Sequence, residues 1–414
     1  MNPYLLIIGL CVVIIISFFC NLLARKTNIP SVLMLVALGM GIKQLLLYFT
    51  IEPGFGSLLE ILGIVGLIMI VLEAALDLEL KKEKWPVIWK SFTIASFSLV
   101  LTSLAVAFII RLFIPRMEFL QTLVYALPLS IMSSAIIIPS VANLNHYKKE
   151  FLIYESTFSD ILGIMVFYMI VENLDVEGMR QLSIAITGNI ILTVAISAIL
   201  SYALLYIIQN IKGDAKFFLF LAVLVLLYSV GKMFHLSSLI IILMFGLLLR
   251  NHKVLLFGNL DKWLRDTRIE AVFNEFKMIT IETSFLVRTF FFVVFGMTIP
   301  LSSLLNWNVW LISLSFLIVT YLLRFGLFYV IENKDTLPQT FLSPRGLISI
   351  LLFFAIPESL KTEGFESGVL FVVIITTSII MAWSLISTGK TKEEPSLINN
   401  EANESISSNL DSDS

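Results

Sequence analysis

Between residues 151 and 171 an apolar run is interrupted by Glu155-Ser-Thr-Phe-Ser-Asp160. Read as a helix, this spacing puts Ser156 and Asp160 four apart on one face and Glu155 with Ser159 on the adjoining one. A carboxylate flanked by hydroxyls offers hard oxygen ligands to a small alkali cation, and the same carboxylate can take a proton instead. Asp160 is therefore the candidate for holding cation and proton in turn, the metal position of the chain, with Ser156 and Ser159 beside it. Glu155 is expected to be a packing acid neutralised by a basic side chain.

The elements that must position these groups are membrane helices. Of the 414 residues, 58% are hydrophobic and 14% charged, against ~45–50% and ~25% in soluble proteins. That excludes an ordinary soluble protein, and a formal net charge of -2 gives no reason to expect a nucleic-acid partner. A bilayer core about 30 Å thick needs ~20 apolar residues per helix. Runs of that kind recur at 4–24, 30–48, 58–80, 87–114, 119–144, 151–171, 181–211, 216–232, 236–249, 272–297, 307–331, 339–356 and 367–387. The expectation is an all-α polytopic membrane protein of about thirteen spans, with residues 1–388 as a transmembrane domain and 389–414 as a disordered acidic tail. The break at Lys232 and His235 divides 216–249 into two spans.

Charge supports this count. Loops after odd-numbered spans hold 17 of the 28 basic residues, Lys81, Lys82, Lys148 and Lys149 among them, whereas the opposite loops hold Arg116, Arg180, Lys232 and Lys361. Under the positive-inside rule the N-terminus lies outside and the C-terminus in the cytoplasm. Lys43, Lys90, Arg111 and Lys277 lie close enough to the interfaces to snorkel. Arg324 is deeper in its span, with no role assigned. Arg288 and Arg345 sit amid apolar sequence, where an unpaired cation costs several kcal/mol, so each needs a carboxylate or backbone carbonyls. Glu282, six residues before Arg288, is expected to be its packing partner. Glu73 and Asp77, one turn apart near Lys81, are the candidates for a second titrating acid, which would make exchange voltage-sensitive, but read first as a capped, solvated helix end.

Two spans are expected to be interrupted. The fifth carries Pro128 and Pro139 around Ser133-Ser134, and the twelfth carries Pro338, Pro344 and Gly346. They are seven spans apart, so spans 1–6 and 8–13 can form two six-helix repeats of opposite topology whose broken helices cross at the binding site. Ser133 and Ser134 thereby join the candidate ligands.

These residues resemble the cation:proton antiporters of the NhaP/NHE branch. Glu155-Ser-Thr-Phe-Ser-Asp160 is similar to the family's Glu-Ser-x-x-Asn-Asp, Leu72-Glu-Ala-Ala-Leu-Asp77 to its Phe-Glu-Gly-Gly-Leu-(Glu/Asp), Phe291-Phe-Val-Val-Phe-Gly296 to its Phe-Phe-x-x-x-Gly, and Pro344-Arg-Gly-Leu347 to its Arg-Gly-Leu crossing helix. Two positions depart from the pattern. Ser159 stands where the family has Asn, and Met132-Ser-Ser-Ala-Ile136 replaces the family's Thr-Asp-Pro with a sequence closer to the Ser-Ser-Thr-Ala of Kef-type antiporters. The resemblance implies exchange of Na⁺ or K⁺ for H⁺ by alternating access, with no cofactor beyond the transported ions. It also implies Asp160 as the exchanging acid, Ser156 as a ligand, a Glu155–Arg345 pair, a homodimer, and a place in the cell (inner) membrane. With one exchanging acid, the cycle is expected to be electroneutral.

Other classes were weighed on the same residues. A solute symporter needs a larger polar pocket than these small hydroxyls supply, and a transport-inactive sensor on the same scaffold would explain the absent acid. His146, His235 and His252 have neither metal-ligand nor triad spacing, so no enzyme is expected. Cys11 and Cys20, nine apart, fall on opposite sides of a helix, which disfavours a disulfide between them.

Overall fold

The computed structural model describes residues 3–27, 31–48, 56–142, 144–172, 179–208, 216–233, 238–255, 266–298, 301–332, 336–362 and 365–387. The tail 389–414 and His235 lie outside the described residues. Fourteen α-helices are present among them: α1 (Pro3–Thr27), α2 (Ser31–Tyr48), α3 (Gly56–Asp77), α4 (Trp85–Phe113), α5 (Phe119–Ser130), α6 (Ser134–Ser140), α7 (His146–Glu172), α8 (Met179–Ile208), α9 (Lys216–Met233), α10 (Ser238–Leu255), α11 (Asp266–Thr298), α12 (Trp307–Ile331), α13 (Leu347–Phe354) and α14 (Gly368–Ser387). The thirteen expected spans correspond in order to α1–α4, the α5/α6 pair, α7–α12, the stretch ending in α13, and α14. Eight stretches of the described residues are long and apolar enough to cross a membrane. The chain is an all-helical polytopic membrane protein.

The helices sort into two units. In the first, α11 packs along α2 and α3, and α10 along α3, α8 and α9; in the second, α4 packs along α5, α7 and α12, with α14 on α12 and α13 against α5 and α7. Contacts between the units are sparse and run mainly through α7, α13, α3, α10 and α11. Within the first unit α2 and α11 meet backbone to backbone. A Cβ on Gly39 would lie 2.1 Å from the Val293 carbonyl oxygen, and one on Gly296 2.3 Å from that of Val36. Only glycine allows this approach.

The connector between the units, from α3 to α4, is pinned from both sides. Asn251, at a kink in α10 (φ -117, ψ 27), accepts from Leu80 N at 2.7 Å and donates to Leu78 O at 2.8 Å. Arg250 holds Glu79 Oε1 at 2.8 Å. From the other unit Tyr154 on α7 donates to Glu79 O at 2.7 Å, and its ring packs with Leu78 and Ile88.

Two elements are interrupted. The chain leaves helical geometry after Ser130 and resumes at Ser134; a 3₁₀ turn at Gln339–Phe341 is followed by non-helical backbone to Gly346 before α13 begins. Prolines prepare both breaks, since Pro128 and Pro344 supply no N–H to a helical ladder. Proline alone does not make such a break tolerable, because backbone groups stripped of helix partners are costly in a membrane interior unless other groups bind them.

Candidate functional site

The amides released by the first break are each taken up. Met132 N donates to Ser159 Oγ at 2.9 Å, Ser133 N to Pro344 O at 2.9 Å, and Ser134 N to Asp160 Oδ2 at 2.9 Å. Two of these acceptors come from α7 and the third from the other interrupted stretch, so the break, the crossing and the acid are one construction. At the crossing a Cβ on Gly346 would fall 2.4 Å from Ser133 Oγ and 2.7 Å from its Cβ. The residue next to Arg345 must therefore be glycine for the two stretches to touch.

Asp160 is 1% exposed. Its Oδ2 is held by the Ser134 amide, while Oδ1 has no hydrogen-bond partner among the described residues. One oxygen anchors the carboxylate and the other is free for a cation or a proton. The Ser156 hydroxyl donates to Ile153 O at 3.1 Å, which leaves its lone pairs as the means of meeting a cation. Ser159 is engaged with the Met132 amide and acts on the crossing backbone. Ser133 and Ser134 lie at the crossing, as their position in the broken span leads one to expect.

The expected ion pairs are re-partnered. Glu155 pairs with Arg324 and not Arg345: Nη1 meets Oε1 at 2.6 Å and Nη2 meets Oε2 at 3.3 Å, with the side chains 1% and 2% exposed. Arg324 also donates to Thr340 O at 3.2 Å and Gln339 O at 3.1 Å. It thus ties α7, α12 and the 3₁₀ turn before the second break. Arg345 is satisfied by backbone: Nε donates to Leu129 O at 2.5 Å and Nη1 to Ser343 O at 2.9 Å. Leu129 lies in the last turn of α5, whose carbonyls have no helical partner, so a cation there neutralises the negative helix end.

Arg288 pairs with Glu73 instead of Glu282. Its Nη2 lies 3.2 and 3.1 Å from the two carboxylate oxygens, and Nη1 reaches Ala135 O on α6 at 3.4 Å. Glu282 is exposed. It sits six residues before Arg288 on α11, which puts it on a different face of the helix. Glu73 accordingly belongs to a charged interior, and Asp77 one turn on pairs with Lys277 at 2.9 Å. Lys90, expected to snorkel, pairs with Glu332 at 3.1 Å.

A cavity of about 260 Å³ lies between the units, lined by Ser31, Glu73, Asp77, Ser134, Arg288 and Thr289 among others. Ser134 and Ala135 are among its lining residues, and the Ser134 amide is the one that holds Asp160. Sequence reasoning passed over Thr289, read Glu73 as a solvated helix end before a second titrating acid, and left Arg324 without a role. For Arg324 the signal was present as a cation deep in an apolar span next to an unassigned choice of acid.

A family model described as "Sodium/hydrogen exchanger, transmembrane" matches residues 14–388. Among solved structures the chain is similar to the sodium proton antiporter MjNhaP1 from Methanocaldococcus jannaschii at pH 8, with TM-score 0.70 and 21% identity over 92% of this chain and 97% of that one. An electron-microscopy structure of the same antiporter gives TM-score 0.65 and 19% identity over 95% of this chain and 100% of that one. No curated protein sequence matches the chain.

Proposed function

The chain belongs to the sodium/hydrogen exchanger family, and from that premise we propose that it exchanges Na⁺ (or K⁺) for H⁺ across the cell membrane, with Asp160 carrying each ion in turn. The observation that carries this reading is the divided carboxylate: Oδ2 fixed by the Ser134 amide, Oδ1 without a protein partner. A cation at Oδ1 completes its shell from lone pairs of Ser156, from Ser133 and Ser134, and from water, the hard oxygen donors that suit an alkali ion. Ser159 shapes the site by holding the crossing backbone.

In this reading Asp160 either carries a proton or accompanies one monovalent cation, so both loaded forms of the site have the same charge. One proton then crosses against one cation and the cycle is electroneutral. The sparse seam between the units is the surface along which access alternates. The basic loops support an orientation with the N-terminus outside and the C-terminus inside. Residues 1–388 form the transporting domain, 389–414 a cytoplasmic tail, and the working unit is a homodimer.

The test is ΔpH dissipation in everted vesicles on addition of Na⁺, Li⁺ or K⁺. Wild-type protein is expected to respond to at least one of them, equally with and without a clamped membrane potential, and Asp160→Asn to give no response. Normal exchange by Asp160→Asn overturns the assignment of the site, and a response that changes under the clamp overturns the electroneutral cycle.

A further inference from the structure

The short connector from α3 to α4 passes from one unit to the other within a few residues. Leu78 to Leu80 are held by the first unit: Asn251 on α10 binds Leu80 N at 2.7 Å and Leu78 O at 2.8 Å, and Arg250 holds the Glu79 side chain at 2.8 Å. From Lys82 onward the chain belongs to the second unit. The 3₁₀ turn Lys82–Lys84 runs directly into α4, and Lys84 pairs with Glu150 on α7. Between the two lies Lys81 in extended backbone (φ -93, ψ 139). Hinges are commonly element-terminal residues of this kind.

A hydrogen bond crosses back over this joint. Tyr154, on α7 one residue before Glu155 and six before Asp160, donates to Glu79 O at 2.7 Å. Its side chain is buried, and the ring packs with Leu78 and Ile88 and stacks on Phe158 at 6.4 Å. The first unit thus grips the connector through Asn251 and Arg250, whereas the acid-bearing helix reaches it through one hydroxyl and its ring. A shift of the second unit leaves the α10 contacts whole if the connector stays with the first. The Tyr154 bond has no such protection, because a hydrogen bond is lost within about 1 Å of separation.

We propose that Tyr154 is a positioning residue for exchange. Its hydroxyl is a latch that, through Glu79 and Asn251, ties α7 to α10 in the present arrangement and lets go when the second unit shifts. The latch sets the share of time that Asp160 spends facing the side open in this structure. It touches no transported ion, so removing it changes the balance between the two facing states and leaves the affinity of each state as it was. This inference rests on the exchange reading of the site.

The test uses the full chain in everted and right-side-out vesicles. It compares, between the two faces, the half-saturating concentration of whichever of Na⁺, Li⁺ and K⁺ the wild type exchanges. The face open in this structure is the one from which an impermeant maleimide reaches Ser31→Cys on the cavity wall, in a Cys11→Ser/Cys20→Ser background. Apparent affinity from each face scales with the fraction of protein facing it, so the ratio of the two constants follows the equilibrium between states. Loss of one net hydrogen bond from one state moves that equilibrium about fivefold. Tyr154→Phe, which keeps the ring, is expected to raise the ratio of open-face to opposite-face half-saturation by that factor. A hydroxyl that only stabilises the fold lowers the unfolding midpoint and leaves the ratio unmoved. Asn251→Ala frees the other end of the same chain of bonds and is expected to move the ratio in the same direction. Tyr154→Phe/Asn251→Ala is expected to go no further than the larger single change, since bonds in series are broken once. If Asn251→Ala does not fold, Glu79→Ala, which removes the Arg250 contact, takes its place with the same two expectations. An unchanged ratio in Tyr154→Phe, or shifts that add in the double variant, overturns the latch. Absence of exchange of all three cations by the wild type overturns the exchange reading instead, so the two failures are distinguishable.

Discussion

Arg324 Nη1 lies 2.6 Å from Glu155 Oε1, in a pair that joins α12 to α7 five residues before Asp160. Removing one member of a buried pair leaves an uncompensated charge, which costs ~3–5 kcal/mol, whereas replacing both by apolar side chains is often close to neutral. Arg324→Leu is therefore expected to be strongly destabilised in thermal unfolding in detergent. Glu155→Leu/Arg324→Leu should recover most of the loss. A double variant no better than the single one would show that the two carbonyl contacts of Arg324, to Gln339 and Thr340, matter more than its pairing with Glu155.

Ser159 accepts from the Met132 amide. Ser159→Ala leaves that amide unpaired in a buried segment, at a cost of ~1–3 kcal/mol, and frees the crossing backbone next to Asp160. Unfolding should report the loss of stability, and vesicle assays a fall in maximal exchange. Ser159→Asn, which restores an acceptor oxygen, is expected to regain much of both.

Gly346→Ala places a methyl against Ser133. Overpacking of this kind costs ~1–3 kcal/mol, and the shift falls on the residue adjoining Ser134, so exchange should drop by more than an order of magnitude. Ser133→Gly/Gly346→Ala removes the colliding atoms. Recovery of exchange in that pair, read as ΔpH dissipation, would locate the damage at the crossing.

Much of this construction was legible in the sequence. Thirteen spans, two of them broken, and an acid-bearing helix follow from apolar run length, proline position and one short motif. Asp160 stands out because an acid in hydrocarbon needs a reason to be there. What could not be read was who pairs with whom. Glu155 was assigned to Arg345 and Arg324 to no partner, because run length alone gives no depth accurate enough to show which cation meets the acid. Arg345 was free to take carbonyls only because α5 ends where it does, at a break whose exact residue depends on Ser159 and Pro344 from other elements. Glu73 looked like a solvated helix end because its partner, Arg288, lies 215 residues away. Helical periodicity carries no information about such contacts.

Outside the spans, Glu79 links the connector to α10. Burial pushes its carboxyl up, but the hydrogen bond from Lys81 and the charges of Arg250, Lys81 and Lys84 outweigh this and hold it below the usual value. A depressed carboxylate stabilises the fold above the unfolded value, about 4.3, and that contribution is lost as pH falls through the folded one. Glu79→Gln should therefore lower the unfolding midpoint relative to wild type at pH 7. The gap between the two proteins should narrow as pH falls below the unfolded value, about 4.3.

The glycine contact between α2 and α11 leaves no side chain to act as a cushion at that point. Spacing there is set by hard-core repulsion between carbonyl oxygen and Cα, the steepest part of any interatomic potential. Arg288 sits about two turns away from Gly296 along the same α11. Its guanidinium is thus mounted on a helix whose distance from α2 is fixed, and from there it reaches Ala135 on α6. The α2–α11 distance at this contact can therefore change only by moving both helices apart together, not by repacking a side chain.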